Sequence, residues 1–149
     1  MQQAVGHTVH ITEVIHAPVE KIWNIIRDFN GLPTFHPAIK ASRIEQGDSK
    51  SVGSIRYLTL ESGYVREKLL MLDDKNYAFE YTILEGTLPV KNYRASVRLT
   101  FDKAKKQTVC EWWADFEAVN AEDTGALIDV VGQQVFKVGF QSIAALLKE

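Results

Sequence analysis

The stretch DTGALIDVVGQQVFKVGFQSIAALLK, Asp123 to Lys148, decides the fold. It contains no proline, it opens on the acidic, cap-competent run Glu122-Asp123-Thr124 and it ends on Lys148, so charge runs favourably along a helix dipole. The pattern predicts one long helix. Ile128, Val131, Val135, Phe136, Val138, Ile143, Leu146 and Leu147 recur mostly at spacings of three and four, which gives a wide apolar stripe that something must cover. No other helical segment is long enough to do so. The residues before it are strand-like, so the expected partner is a sheet that curves around the helix. Gly132 and Gly139 lie seven apart on that stripe, each weakening the helix by roughly 1 kcal/mol relative to alanine. They remove bulk between helix and sheet, either for close packing on a strand or to leave room for a ligand.

Upstream, His7 to Ile15 alternates as a first strand, with Val9, Ile11 and Ile15 on one side and His10, Thr12 and Val14 on the other. Pro18 suits the first turn of a short helix, in which Val19, Ile22, Trp23 and Ile26 recur at helical spacing. Asn30-Gly31 ends it, and residues 32–37, with two prolines, allow no more than a single helical turn. Six strands follow: Ile39 to Glu45, Gly53 to Leu60, Tyr64 to Leu72, Tyr77 to Leu84, Lys91 to Phe101 and Thr108 to Ala118. Their short connections imply an antiparallel meander. The expected architecture is α+β: a curved, antiparallel, seven-stranded sheet around a long C-terminal helix, with two short helices after the first strand.

Strand parity assigns the inner face. Cys110, Trp112, Ala114, Phe116 and Ala118 oppose Glu111, Asp115 and Glu117, so the first set points inward. Tyr93, Ala95, Val97, Leu99 and Phe101 form a second inward set, and Phe79, Tyr81 and Ile83 a third. In residues 64–72 one choice of face buries Arg66 and Lys68, and the other buries Glu67 among Val65, Leu69 and Met71. The second is preferred, because two unpaired cations inside an apolar interior cost more. In residues 53–60 the inward set is either Arg56, Leu58 and Leu60 or Ile55, Tyr57 and Thr59, and Glu67 is tolerable if the first holds, so that Arg56 pairs with it from the neighbouring strand. An apolar enclosure holding Arg56, Glu67, Tyr81, Tyr93 and Trp112 has the composition of a small-molecule site, and equally that of a filled core with one ion pair.

Composition narrows the classes. With 149 residues, 46% of them hydrophobic, the chain suits a single domain over residues 1–149. A net charge of -2 without like-charge blocks argues against nucleic acid and against a polybasic membrane patch. No apolar run is expected to span a membrane, and no secretory leader is visible, so the expected compartment is the cytoplasm. A lone Cys110 and four dispersed histidines give no metal-ligand spacing, and no glycine loop for a phosphate is present. No cofactor is expected.

The chain resembles the START-like (SRPBCC) helix-grip superfamily of polyketide cyclases and dehydrases, lipid-transfer domains and plant abscisic-acid receptors. The resemblance is carried, in order along nearly the whole chain, by residues 17–23 (APVEKIW), 32–37 (LPTFHP), 52–56 (VGSIR), 67–69 (EKL), 72–74 (LDD), 91–94 (KNYR) and the strand through Trp112 and Phe116. It implies an internal hydrophobic cavity between sheet and helix, with His36 at its mouth. Against the receptors, Arg56, Glu67 and Tyr93 match polar ligand contacts. Four other contacts differ: the lysine that meets the ligand carboxylate corresponds to His36, the serine to Ala95, the second glutamate to Trp112 and the asparagine to Gly139. The gate is reduced to Glu61-Ser62-Gly63, and Thr87-Leu88-Pro89 replaces the latch. These departures argue against hormone reception and favour the polyketide cyclase/dehydrase-like group.

The candidate ligand-contacting set is His36, Arg56, Leu58, Glu67, Tyr81, Tyr93, Trp112, Val135 and Gly139. His36 and Glu67 are the candidate acid-base groups, since an imidazole exchanges protons near neutral pH; the alternative for His36 is a loop-shaping residue between Phe35 and Pro37. Three functions compete: a monomeric or homodimeric carrier of a small hydrophobic molecule (lipid, polyketide or aromatic metabolite), a cofactor-independent cyclase or dehydratase using His36 with Glu67, Tyr81 or Tyr93, and an interaction module whose interior is filled.

Overall fold

The computed structural model describes residues 7–148. Seven strands, β1 (Val9–Ile15), β2 (Ile39–Gln46), β3 (Ile55–Leu60), β4 (Gly63–Asp73), β5 (Ala78–Gly86), β6 (Val90–Asp102) and β7 (Gln107–Ala118), form one antiparallel sheet in the order β1-β7-β6-β5-β4-β3-β2. The expected meander runs from β2 to β7, and β1 adds to its far side. Consecutive strands β1 and β2 therefore lie at opposite edges, and the chain crosses between them through α1 (Val19–Ile26) and a 3₁₀ turn at Leu32–Thr34. All four expected apolar residues of α1, Val19, Ile22, Trp23 and Ile26, are buried. The Trp23 indole N–H donates to Asp74 Oδ1 at 2.8 Å and the Arg27 guanidinium binds the same carboxylate, which pins α1 to the β4–β5 turn. These two donors hold Asp74 below the usual carboxylate range.

The C-terminal helix is continuous from Thr124 to Leu147, but it is not uniformly α-helical. It consists of α2 (Thr124–Asp129), a π-helical segment Val130–Lys137 and α3 (Val138–Leu147). The reason lies in the spacing of the side chains that reach the core. Leu127, Val131, Phe136, Phe140 and Ile143 are all buried, and the step from Val131 to Phe136 is five residues, one more than an α-turn accommodates. A wider turn brings both onto the sheet. Two residues of the expected stripe, Ile128 and Leu146, are instead 36% and 49% exposed, because the stripe is displaced by the π segment. By length and composition this helix, Ala121–Leu147, would qualify as a membrane span, contrary to the sequence expectation. Here Val131, Phe136, Phe140 and Ile143 are enclosed by the sheet.

Strand parity is as expected for β3 to β7 with two exceptions. The register shift between Leu69 and Met71 sets Met71 opposite the outward Glu80 and Leu72 opposite the inward Phe79, so Leu72 and not Met71 packs on the core. Phe101, at the end of β6, is 39% exposed. Both glycines of the helix are close-approach positions. A Cβ on Gly132 would stand 3.1 Å from Val9 Cγ1, and one on Gly139 would stand 3.0 Å from Trp112 Cζ3 and 3.3 Å from His36 Cδ2. Of the two readings, the structure shows close packing at each.

Candidate functional site

A cavity of about 440 Å³ lies between the inner face of β3–β7 and the π segment. Its walls are mainly apolar: Leu58, Leu60, Val65, Ile83, Leu88, Val130, Val131 and Val135 among them. At the mouth stand Glu61 and Ser62 from the β3–β4 turn, Leu88 from the β5–β6 connection and Gln134 from the helix. Those two connections are joined at their base. Thr87 N–H donates to the Tyr64 carbonyl at 2.9 Å, and Tyr64 N–H donates to Thr87 Oγ1 at 3.0 Å. Gly63 makes the approach possible: its φ is +116°, and a Cβ there would meet Thr87 Oγ1 at 2.0 Å.

The polar interior is built on the β3–β4 register, in which Arg56 and Glu67 are direct partners. Arg56 Nε and Nη2 both donate to Glu67 Oε1, at 2.9 and 2.6 Å, and Nη1 donates to the Phe29 carbonyl at 2.8 Å. The guanidinium carbon lies 4.0 Å from the Phe29 ring centroid, so the cation is held by a carboxylate, a carbonyl and a π-face together. Burial raises the Glu67 carboxyl above its ordinary range, and Arg56 opposes that shift by charge and hydrogen bonding. Beyond the pair, Trp112 Nε1 donates to the Tyr81 hydroxyl at 3.2 Å, and the Tyr81 ring is tilted by 42° to that of Tyr93 with ring centroids 6.2 Å apart. Burial pushes both phenols up, well above their usual value in the case of Tyr93, so both stay neutral hydrogen-bonding groups.

His36 lines the cavity but is only 1% exposed, and both ring nitrogens are engaged by backbone. Nε2 lies 2.7 Å from the Val135 carbonyl and Nδ1 lies 3.1 Å from the Ala38 N–H, which assigns the proton to Nε2. The imidazole is thus a strut between the 3₁₀ turn and the π segment. As an acid-base group it would first have to give up one of these bonds. Burial lowers its pKa below the ordinary 6.5, with the Val135 carbonyl partly opposing. The unfolded chain therefore takes up the proton first as pH falls. The stability due to neutral His36 is complete above about pH 6.5 and is eroded as pH drops from there toward the lower folded value. The expected result is that wild-type protein loses more urea resistance than His36→Gln between about pH 7.5 and 5.5. Equal losses would show that the ring is not held neutral.

Of the nine expected site residues, the structure brings His36, Arg56, Leu58, Glu67, Tyr81, Tyr93, Trp112 and Val135 around one space. Gly139 is not among the lining residues: the room it leaves is filled by Trp112 and His36. Gln134, Val130, Ser62 and Leu88 line the cavity without having been expected. Gln134 follows Val131 by three residues, and only its polarity kept it out of the apolar stripe. Among the described residues, no group of three histidine, cysteine or carboxylate side chains is placed to hold a metal ion.

Residues 6–148 match the family described as polyketide cyclase/dehydrase and lipid transport. The chain belongs to this family. Relatives of this polyketide cyclase/dehydrase-like domain include the abscisic acid receptor PYL2 of Arabidopsis thaliana, 32% identical over 147 residues that cover 91% of this chain and 77% of the receptor. The receptor PYL6 of the same plant is 23% identical over 147 residues, covering 91% of this chain and 66% of its own length. Among solved structures, an uncharacterized protein from Bacillus thuringiensis superimposes with a TM-score of 0.82 at 22% identity, over 95% of this chain and 98% of that one. A Thermobifida fusca protein gives 0.81 at 23% identity, over 91% and 89%. These likenesses agree on the helix-grip fold.

Proposed function

We propose that this family member binds and carries a small hydrophobic molecule in the cavity between sheet and helix. The observation that carries the reading is an apolar space of about 440 Å³ on which the Arg56–Glu67 pair, Tyr81 and Tyr93 converge. That volume lies in the lower half of the range usual for ligand sites, about 300–1,000 Å³. At roughly 30 Å³ per water-sized group it accommodates about fifteen such groups, which suits a one- or two-ring metabolite or a single short chain and is too little for a two-chain lipid. Catalysis is the weaker reading because His36 has both nitrogens committed. Hormone reception is disfavoured by the sequence departures at His36, Ala95, Trp112 and Gly139.

The test combines native mass spectrometry of freshly purified protein with titration of a fluorescent naphthol. Ile83 is half-buried on the cavity wall. Ile83→Trp is expected to fill the space and reduce naphthol affinity at least about tenfold, with the unfolding midpoint little changed. Undiminished binding in that variant would place the naphthol elsewhere and remove the support for carriage in this cavity.

A further inference from the structure

Among the described residues that line the cavity, Arg56 is the one lysine or arginine, and the protein neutralises it internally. The Nε–Nη2 edge of Arg56, the fork with which an arginine clasps a carboxylate, is occupied by Glu67 Oε1, and one N–H of Nη1 donates to the Phe29 carbonyl. The other basic group on the wall, His36, gives its one N–H to the Val135 carbonyl. At the mouth Glu61 is paired with Lys40 at 3.1 Å, and Lys40 is not among the lining residues. An anion entering this space would shed its hydration, meet no unpaired cation and face Glu67.

The arrangement is different for a hydrogen-bond donor. Glu67 takes both arginine bonds on Oε1, and Oε2 accepts none from the protein. Every fully enclosed side-chain nitrogen or oxygen among the described residues has a partner, so Oε2 opens onto the cavity that Glu67 lines. A charge-polarised acceptor is therefore presented to the interior, beside the Tyr81 and Tyr93 rings that border the same space.

Resting on the carriage proposed above, we infer that the guest is an uncharged hydrophobic molecule bearing a hydroxyl, an alcohol or phenol whose O–H donates to Glu67 Oε2, and that carboxylic acids are excluded. The pair thus acts as a charge filter: Arg56 keeps Glu67 in place as an acceptor, and Glu67 keeps Arg56 from attracting anions.

Calorimetric titration at pH 7 with three matched probes tests this: 2-naphthol, methyl 2-naphthoate and 2-naphthoate. The expected order of affinity is naphthol first, the ester about tenfold weaker for want of a donor, and the ionised acid about a hundredfold weaker. Naphthoate within threefold of naphthol, or tighter, would overturn the inference and leave carriage standing. If none of the three binds, carriage itself fails and the inference with it. In Glu67→Gln the amide keeps the shape of the carboxylate while Arg56 is left with uncancelled charge, so naphthoate is expected to gain at least about tenfold and naphthol to weaken. The wild-type order retained in that variant would overturn the charge-filter account, and should the variant fail to fold, the wild-type series decides alone.

Discussion

Replacing Arg56 by methionine is expected to lower the free energy of unfolding by about 3–5 kcal/mol, among the largest losses for any single change in this chain. The side chains of Arg56 and Glu67 are 4% and 7% exposed, so removing the cation leaves a carboxylate in an apolar interior with no compensating donor. The Phe29 carbonyl loses its partner at the same time. The variant's carboxylate would respond by taking up a proton, so its stability deficit should shrink as pH falls through the acid range, where Glu67 is neutral in any case. Substituting both residues, Arg56→Met with Glu67→Leu, is expected to recover most of the loss, because two well-packed apolar groups replace a pair whose attraction largely offsets its own desolvation. Chemical denaturation of the wild type, the single variants and the double variant measures this. A single variant within about 1 kcal/mol of wild type would mean that water reaches Glu67 freely, and the enclosed polar end of the cavity would have to be abandoned.

Trp112→Ala is expected to cost about 3–5 kcal/mol as well, by a different route. The indole stacks on Phe136 with ring centroids 4.6 Å apart and tilts against Phe140 at 5.4 Å, so its removal strips a face from two fully buried aromatic side chains of the helix. It also leaves the Tyr81 hydroxyl without its indole donor. The emptied volume is continuous with the cavity, since Trp112 already lines it. Stability should therefore fall while capacity rises: a three-ring aromatic alcohol that wild type binds poorly should approach the affinity of 2-naphthol in the variant. Thermal denaturation and a two-probe titration report the two effects separately. A stability loss with no change in probe preference would show that the neighbours collapse into the gap.

Most of the frame could be read from residue order because the sheet imposes a period of two. Once Glu111, Asp115 and Glu117 are placed outward, Trp112 and Phe116 have no choice of side, whereas in β3 and β4 parity leaves either face open, and it is the cost of burying two cations that turns Glu67 inward with Arg56 as its partner. Phe101 broke the rule because parity gives a face but not the point at which cover ends. The helix was harder. The stripe expected from the sequence takes in Ile128 and Leu146, which are exposed, and leaves out Leu127 and Phe140, which are buried. No residue type between Val130 and Lys137 announces a wider turn; the demand comes from the distance between Val131 and Phe136 across the sheet they must both reach. The polar end of the cavity was legible from burial costs alone, whereas its mouth was not. Ser62, Leu88 and Gln134 come together through a turn, a loop and the altered helix, none of which carries a periodic pattern. His36 was legible only through resemblance, and its two backbone hydrogen bonds have no counterpart in composition or spacing.

The π segment also ties the length of the chain to the identity of the lining. A π-turn holds one residue more than an α-turn, so losing a single residue between Val131 and Phe136 would leave them four apart, the spacing at which an α-helix keeps both on one face. Phe140 and Ile143 would keep their place on the sheet, while the wide turn from which Val130, Gln134 and Val135 reach the cavity would close up. In this region a one-residue deletion spares the frame and alters the wall, so closely similar sequences that differ by one position there would enclose differently shaped interiors.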